Sequence, residues 1–353
     1  MPAFDDAAAS VVTPDAAAAA AAAARQDRLT KPPGALGRLE AAGARLAGIA
    51  RRCPPPVPEP AVVAVFAGDH GVLSEGVSPW PQEVTAQMVA NFCAGGAAVN
   101  VLAGHVGAGV VVVDVGVAST LAPGPSLLDR KVRPGTANLA AGPAMSHDEA
   151  SRALDVGAEV AAELAGSGTR CLLTGDMGIG NTTPSAALLS ALTGRPAEAV
   201  TGRGTGIDGD RWAAKVNVVA GAVDRVRGRP TLDVLAEVGG LEIAALAGFV
   251  VGGAAAGLPV LLDGVIAAAA AVVAVDLVPN CAGYLFAGHR STEPGSAVAL
   301  DHLGLDPLLD LDLRLGEGTG ACLALPVLQA SAKILSQMAT FDSAGVSERP
   351  DDA

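Results

Sequence analysis

Residues 170–194 read RCLLTGDMGIGNTTPSAALLSALTG, and this stretch decides the fold class. It opens with a short apolar run that leads into a loop containing Gly175, Asp176, Gly178 and Gly180. An Ala- and Leu-rich helical pattern comes next. A buried strand, a glycine-rich turn and a helix in this order predict the βα unit of a parallel sheet.

The loop over residues 175–183 has the features of an anion site. Its glycines, Gly175, Gly178 and Gly180, let backbone amides face a ligand, and a helix start favours negative charge. A phosphate site is one interpretation, and an ordinary strand–turn–helix corner is the alternative. It is not a Walker A loop, because no GK[ST] follows. Thr183 is a candidate N-cap, Pro184 fits the first helical position, and Gly194 fits just past the helix end.

The same rhythm of an apolar run followed by polar residues occurs at four further places along the chain. The runs are AVVAVFAGDHG (61–71, ending at Asp69 and His70), AGVVVVDVGV (108–117, near Asp114), LPVLLDG (258–264, at Asp263) and NCAGYLFAGHRS (280–291, at His289 and Ser291). Strands that are apolar throughout are typical of a sheet covered on both faces. The fold class predicted is therefore α/β, with a doubly wound, mostly parallel sheet. Ligands of such sheets bind beyond the carboxyl ends of the strands, where these polar residues lie.

Both ends of the chain are predicted to be helical. Ala16–Ala24 is a run of strong helix formers, and residues 31–52 carry apolar residues at helical spacing. The stretch 54–60 (PPPVPEP) predicts a linker. Residues 318–341 look helical again, with Pro326 as a kink, and the polar tail SERPDDA (347–353) is expected to be disordered.

Composition and charge exclude several classes of protein. The net charge of -13 lacks the basic footprint of a nucleic-acid partner. The five cysteines are scattered without a CxxC pair, which favours free, buried thiols in a reducing compartment. The first ten residues, MPAFDDAAAS, lack a basic n-region, so no signal peptide and a cytoplasmic location are expected.

A membrane span has to be considered because the mean hydropathy is +0.43. Residues 243–262 carry no charge and are long enough to span a bilayer. The run also contains four glycines and Pro259, and Asp263 follows it. Two buried helices flanking a buried strand explain it better, and no membrane partner is predicted.

A second glycine-rich loop, GRGTGID (202–208), fails the dinucleotide fingerprint because Ile207 stands where the third glycine should be. This weakens the interpretation as an NAD-dependent oxidoreductase. Gly204 lies in this loop, and Lys215 beyond it could reach a phosphate. A simple turn and a solvated surface lysine remain the alternatives.

Glu317 has a glycine on each side in RLGEGTGA (314–321). A carboxylate in such a segment is free to project into a cleft, and in a dry site its pKa would rise until it is a usable general base. A turn-exposed glutamate is the alternative. For Asp69 and His70 a structural pair is favoured over a metal site, since no second histidine lies at ligand spacing. At Ser291 the choice is between an anion contact and a helix N-cap there or at Thr292.

Taken together, the motifs resemble those of the nicotinate-nucleotide–dimethylbenzimidazole phosphoribosyltransferases. The resemblance runs from about Lys31 to Phe341. It rests on KPPGALGRLE, FAGDHGV..EGVS, VT.QMV.NF..GGAA.N, GDMGIGNTT, GRGTGID, GLEIAALAG, GHRSTEPG and LRLGEGTGA, in this order. Two positions depart from the family pattern: Asp176 stands where some relatives appear to have Glu, and Ala35 where Ser is expected.

The resemblance implies a fold and an activity. The fold is a Rossmann-like large domain (61–324) with a small helical domain built from residues 1–60 and 325–353, in a homodimer. The activity is transfer of the phosphoribosyl group of nicotinate mononucleotide to dimethylbenzimidazole, without a metal or cofactor. A nucleotide-binding module without turnover, an oxidoreductase and a membrane permease component are the competing hypotheses.

The resemblance also assigns roles to individual residues. Glu317 is the expected general base. The substrate phosphate is expected at GDMGIGNTT, that is at Asp176, Met177, Gly178, Gly180, Asn181 and Thr182. The base pocket is expected at Ser78, Gln87, Met88 and Leu315. Gly204, Lys215, Asp263 and Ser291 complete the predicted substrate-binding set.

Overall fold

A computed structural model describes residues 2–204 and 206–347 of the chain. Its centre is a seven-stranded sheet in the order β3-β2-β1-β4-β5-β6-β7, with every neighbouring pair parallel. The strands are β1 (Ala61–Gly68), β2 (Gly109–Gly116), β3 (Leu127–Asp129), β4 (Cys171–Met177), β5 (Val260–Leu262), β6 (Leu285–His289) and β7 (Pro307–Leu309). The predicted doubly wound parallel sheet is confirmed. The short strands β3 and β7 were not predicted.

Helices cover the sheet. They are α1 (Ala3–Ser10), α2 (Ala16–Arg28), α3 (Arg38–Ala50), α4 (Glu83–Ala94), α5 (Ala98–Val106), α6 (His147–Gly166), α7 (Thr182–Thr193), α8 (Ala197–Val200), α9 (Gly209–Val226), α10 (Thr231–Val238), α11 (Leu241–Ala255), α12 (Val265–Leu277), α13 (Pro294–Leu303), α14 (Thr319–Gln337) and α15 (Phe341–Ala344). Strand β1 pairs with β2 on one side and β4 on the other, so the strand order reverses there. A crevice at this edge is where such sheets bind ligands.

Small residues allow close packing in a core with few aromatic side chains. A Cβ atom on Gly157 of α6 would lie 1.8 Å from the Ala245 carbonyl oxygen of α11, and one on Gly248 would lie 1.9 Å from the Leu154 carbonyl oxygen. The two helices therefore touch backbone to backbone. Dense contact of this kind lets Ala, Val and Gly fill an interior that other proteins fill with aromatic rings.

The uncharged run over residues 243–262 is buried, as predicted. It forms most of α11 and then β5, and the buried helix α12 follows. Two other stretches, residues 83–106 and α14, have the length and apolar composition of a membrane span. The first is divided into α4 and α5, and α14 packs against α5 and β6. Length and composition alone are weak evidence, because core helices share them.

The two ends of the chain pack together. Ala22 of α2, Ala47 of α3 and Leu335 of α14 form a small buried cluster, and the Thr30 N–H donates to the Ala339 carbonyl at 3.0 Å. Helix α1, however, packs on α6 and α11. Helix α14 runs without interruption from the sheet into this cluster, through residue 325. The division into domains at residues 60 and 325 therefore stays a prediction.

Some predicted boundaries differ from the structure. The helix expected from residue 31 begins at Arg38, because two prolines and the positive φ of Gly37 precede it. Pro326 lies inside α14, in line with the helical prediction for this stretch, and the kink expected there stays a prediction. All five cysteines are free, as predicted, although Cys53 and Cys93 are half-buried. Apart from Ser347, the tail SERPDDA lies outside the described residues.

Candidate active site

A cavity of about 420 Å³ lies at the carboxyl edge of the sheet. It brings together most of the residues expected to bind substrate. Those lining it are Ser78, Met88, Asp176, Met177, Gly178, Gly180, Asn181, Thr182, Gly204, Ser291, Leu315 and Glu317. Gln87, Lys215 and Asp263 do not line it: Gln87 is exposed on α4, and the other two are buried behind the wall.

Glu317 enters the cavity from a strained turn. Its φ is 65°, between 84° at Gly316 and 99° at Gly318, so three successive residues are in the left-handed region. Such a conformation is unfavourable for a residue with a Cβ and persists where the surroundings impose it. Only 6% of Glu317 is exposed, and its Oε2 has no hydrogen-bond partner among the described residues. Burial raises the pKa of Glu317, a backbone N–H at Val99 opposes the rise, and the charge of Asp263 adds to it.

Asp263 imposes this turn. One carboxylate oxygen accepts from the N–H groups of Gly320 and Ala321 at 2.7 and 3.1 Å, and the other accepts from Gly318 N–H at 3.0 Å. The carboxylate therefore occupies the N-terminus of α14 and fixes both sides of the Glu317 turn. A strand-end aspartate was expected to touch substrate. Its carboxylate contacts instead the backbone that carries Glu317 and, at 3.6 Å, His289 Nε2.

Asp176 lies on the cavity wall next to this turn. A Cβ on Gly316 would lie 3.3 Å from both of its carboxylate oxygens. Asn181 Nδ2 donates to Asp176 Oδ2 at 2.9 Å, while Oδ1 has no partner within residues 2–204 and 206–347. Burial raises the pKa of Asp176 well above its usual value, and the charge of Asp263 raises it further, against the Asn181 hydrogen bond.

The loop between β4 and α7 forms the opposite wall. A Cβ on Gly178 would lie 2.4 Å from the Gly68 carbonyl oxygen, so only glycine lets the loop approach β1. Helix α7 starts at Thr182 with Asn181 in the N-cap position, and Asn181 does not cap it through its side chain. The prediction of Thr183 as N-cap is wrong, because Thr183 already lies inside the first turn. Gly194 ends the helix with a φ of 71°, as predicted.

Lys215 is buried rather than solvated. Only 1% of the residue is exposed, and its Nζ donates to Thr182 Oγ1 at 2.7 Å and to the Gly202 carbonyl at 3.4 Å. It therefore joins the two glycine-rich loops. Burial lowers the pKa of Lys215 to about 8, and the charge of Glu293 opposes this.

Glu293 and Arg314 line the cavity and were not predicted. Glu293 Oε1 accepts from Gly204 N–H at 2.9 Å, and Arg314 donates to the Gly204 carbonyl at 2.8 Å. The two side chains thus bind the N–H and the carbonyl of the same residue in the second glycine-rich loop. Glu293 also occupies the N-cap position of α13, so an N-cap at Ser291 or Thr292 is wrong. The quoted GHRSTEP motif contains Glu293, but nothing in its spacing separates it from a surface residue.

A buried ion pair supports the β4–α7 loop from behind. His70 Nε2 lies 2.8 Å from Glu242 Oε1, and both side chains are almost fully buried. Burial lowers the pKa of His70, but Glu242 and Asp69 outweigh it, so the net pKa is raised. The His70 ring would contact a Cβ on Gly178 at 3.1 Å. His70 thus pairs with Glu242, while Asp69 accepts from Ala118 N–H.

The remaining wall of the cavity is apolar. The loop before α4 and α4 itself supply Val77, Trp80, Val84 and Met88. Leu315 lines the cavity from the turn before Glu317. Trp80 and Leu315 stay half-exposed at the mouth. Flat and flexible apolar groups suit a planar ligand at this end. Among the described residues, no group of three or more His, Cys, Asp or Glu side chains is arranged to hold a metal ion.

Comparison with known proteins identifies the class. The profile of a family described as phosphoribosyltransferase matches residues 11–346, so the chain belongs to this family of transferases. The resemblance drawn from the motifs is confirmed. Two similar relatives are the nicotinate-nucleotide–dimethylbenzimidazole phosphoribosyltransferases of Salinispora tropica and Thermus thermophilus. Both are 55% identical, over 340 and 324 residues; each match covers 92% of this chain, and 93% and 96% of the respective relative.

The fold is also that of a solved relative. The crystal structure of CobT from Thermus thermophilus superposes with a TM-score of 0.92 at 53% identity. The match covers 94% of this chain and 100% of the CobT chain.

Proposed function

We propose that this phosphoribosyltransferase transfers the 5-phosphoribosyl group of nicotinate mononucleotide to 5,6-dimethylbenzimidazole. The products are nicotinate and α-ribazole 5'-phosphate, a building block for the lower ligand of cobalamin. The names of the relatives in Salinispora and Thermus support both substrates. The observation that carries the proposal is Glu317, a buried carboxylate held in a strained turn with one oxygen unpartnered among the described residues.

The two ends of the cavity match the two substrates. The phosphate of the nucleotide is assigned to the β4–α7 loop with Thr182, Gly204 and Ser291, where a helix N-terminus and backbone amides favour an anion. The benzimidazole is assigned to the apolar end with Ser78, Met88 and Leu315. Gln87 belongs to this assignment by resemblance, although it lies outside the cavity lining. Metal and cofactor are not part of the proposed reaction.

The proposed chemistry needs one base. One ring nitrogen of the benzimidazole attacks C1′ of the ribose, and the bond from C1′ to the pyridinium nitrogen breaks. The electron pair of that bond neutralises the pyridinium, so nicotinate leaves without a proton donor. The proton on the other benzimidazole nitrogen passes to the carboxylate of Glu317 and is later lost to water. Attack from the face opposite nicotinate inverts C1′.

The raised pKa of Glu317 fits this role. A carboxylate is a weak base at its usual pKa, and burial makes it a stronger one. The rest of the site has to hold two planar rings on either side of C1′, and such positioning accounts for a large part of many rate enhancements. We also propose that the enzyme is a cytoplasmic homodimer that binds neither nucleic acid nor membranes.

The experiment is direct. The pure protein is incubated with nicotinate mononucleotide and dimethylbenzimidazole without added metal, and both products are followed by chromatography. Equal amounts of nicotinate and an α-configured riboside phosphate are expected. Release of nicotinate without the riboside would indicate hydrolysis, and a β-configured product would contradict inversion. Intact substrate binding without either product would refute the transfer.

A further inference from the structure

Glu293 is a buried carboxylate at the end of the cavity assigned to the phosphate. Only 8% of it is exposed, and it separates the main cavity from a second one of about 510 Å³. Its Oε1 accepts from Gly204 N–H at 2.9 Å. A Cβ on Gly202 would lie 1.8 Å from its Oε2, so the carboxylate lies flat against this glycine-rich backbone.

Lys215 reaches the same backbone from another side. Its Nζ contacts Thr182 Oγ1 and the Gly202 carbonyl, and a Cβ on Gly204 would lie 3.7 Å from it. The groups facing Lys215 from α7 and from the loop are a hydroxyl and a carbonyl, which carry no charge. Burial lowers the pKa of Lys215, and within the described residues Glu293 is the charged group that opposes this, which leaves the pKa at about 8.

A carboxylate beside a phosphate site repels the phosphate, so its burial there needs an explanation. We propose that Glu293 is a positioning residue for phosphate binding: it holds the Gly204 N–H in place and keeps Lys215 charged, so that this buried lysine, which lies behind the cavity wall against Thr182, attracts the substrate phosphate. The inference rests on the proposed function, since it assigns this end of the cavity to a 5′-phosphate. The contribution of Glu293 to nucleotide binding depends on pH, because Lys215 needs the nearby negative charge only where it would otherwise lose its proton.

The sign of the effect follows from the charges. At about pH 6.5 Lys215 is protonated with or without Glu293, so removing the carboxylate relieves repulsion and leaves binding unchanged or slightly tighter. Above about pH 8 Lys215 loses its proton, and without Glu293 it does so at lower pH. The pH above which nicotinate mononucleotide binds weakly should therefore be lower by roughly one unit without the Glu293 carboxylate, which is the usual scale for one nearby opposite charge.

The test compares Glu293→Gln, Glu293→Ala and the control Glu198→Gln. Glutamine keeps an acceptor for Gly204 N–H and removes the charge, whereas alanine removes both. Glu198 lines the second cavity, and among the described residues it makes no hydrogen bond to Gly204 or Lys215. The dissociation constant of nicotinate mononucleotide is measured by calorimetry from about pH 6.5 to about pH 9, across the pKa of Lys215.

Glu293→Gln should bind like the wild type at the acidic end and about tenfold more weakly at the basic end, with kcat at saturation within about twofold. Glu293→Ala should lose about a further fivefold at every pH, from the unpaired Gly204 N–H. A Gln variant whose binding falls equally at all pH values, or not at all, overturns the proposal.

A double variant separates charge from structure. In a Lys215→Ala background the carboxylate has no cation to support, so adding Glu293→Gln should strengthen nucleotide binding rather than weaken it. Thermal unfolding checks that each variant is folded. Because the readout is nucleotide binding, a protein that binds as expected but releases no nicotinate would refute the proposed reaction and leave the role of Glu293 standing.

Discussion

The two ends of the cavity use charge in opposite ways. At the phosphate end Lys215 and Glu293 are tied to neighbouring backbone or hydroxyl groups, and a helix N-terminus adds its positive end. At the base end the Glu317 carboxylate has only the Val99 N–H to oppose the rise in its pKa, and its Oε2 is unpartnered in the described part of the chain. Satisfied groups are suited to binding, whereas an unsatisfied buried carboxylate is suited to taking up a proton. Changes at one end should therefore alter kcat, and changes at the other end KM.

The largest effect is expected for Glu317→Gln. The variant keeps shape and removes the base, so kcat should fall by about 10²–10⁴-fold while the KM of both substrates changes little. Steady-state release of nicotinate measures it, with Glu198→Gln as the matched control. A variant with near-normal kcat would remove Glu317 from the chemistry.

Asp263→Asn should act through Glu317 although it does not line the cavity. An asparagine has one acceptor oxygen in place of two, so at least one of the three N–H contacts is lost and the Glu317 turn loosens. We expect kcat to fall by about 10–100-fold with KM nearly unchanged, since misplacing a catalytic group by a small distance is costly. If KM rises instead while kcat holds, Asp263 contacts substrate, as first expected from the sequence.

The pH profile of the unmodified enzyme tests the same end. Because the pKa of Glu317 is raised, the base is lost at a higher pH than for an ordinary glutamate. Below that pKa, kcat should fall about tenfold per pH unit, and the midpoint should lie above the usual range for Glu. The limb should disappear in Glu317→Gln. If the midpoint of the fall in kcat lies at or below the ordinary pKa of glutamate, Glu317 is not a base whose pKa is raised by burial.

A smaller effect is expected at the phosphate end for Thr182→Val. The substitution keeps the size of the side chain and removes the acceptor for Lys215 Nζ. The loss of one hydrogen bond should raise the KM of nicotinate mononucleotide about fivefold with kcat unchanged. Thr193→Val, on the same helix but outside the cavity, is the control. If Thr182→Val lowers kcat at constant KM, the two ends of the cavity do not separate into one that determines KM and one that determines kcat.

The smallest effect is one on stability, for Asp176→Asn. The pKa of Asp176 is raised in the folded state, so its protonated form is favoured by folding and its ionised form opposes folding. Any stabilisation by Asp176 is fully present below the pKa that it has in the unfolded chain. It is lost as the pH rises through the higher pKa that Asp176 has in the folded protein. The neutral asparagine should therefore raise Tm by about 1–3 °C near neutral pH and by nothing near pH 3. Thermal scans at both pH values check this; a lower Tm at neutral pH would contradict it.

Strong local patterns made the main features predictable. Continuous apolar runs ending in glycine and a polar residue predicted the five long or central strands, and their parallel pairing brought Asp176, Gly204, Ser291 and Glu317 to one cavity. Strands β3 and β7, at the sheet edges, are as short as β5, with three residues each, but unlike β5 they lie in no longer apolar run that would give a signal. They form because a neighbouring strand supplies their hydrogen-bond partners.

Roles that depend on distant partners could not be predicted. Asp263 meets residues 318–321, and Glu293 meets Gly204, across more than fifty positions of the chain. Lys215 likewise reads as a surface residue until the fold buries it. Thr183 was predicted as N-cap with Pro184 at the first helical position, whereas the helix begins two residues earlier, at Thr182, just after the β4–α7 loop approaches β1 at Gly178.

The scarcity of aromatic residues has an optical consequence. The chain has two tryptophans and one tyrosine. Trp80 stands half-exposed at the apolar mouth of the main cavity, and Trp212 lines the adjoining cavity beyond Gly204, with its indole beside Arg203. The tryptophan emission of the protein therefore arises beside its two cavities, with one tryptophan near the end of the site assigned to each substrate. If either tryptophan is replaced by phenylalanine, the fluorescence of the remaining tryptophan would report on one end of the site alone.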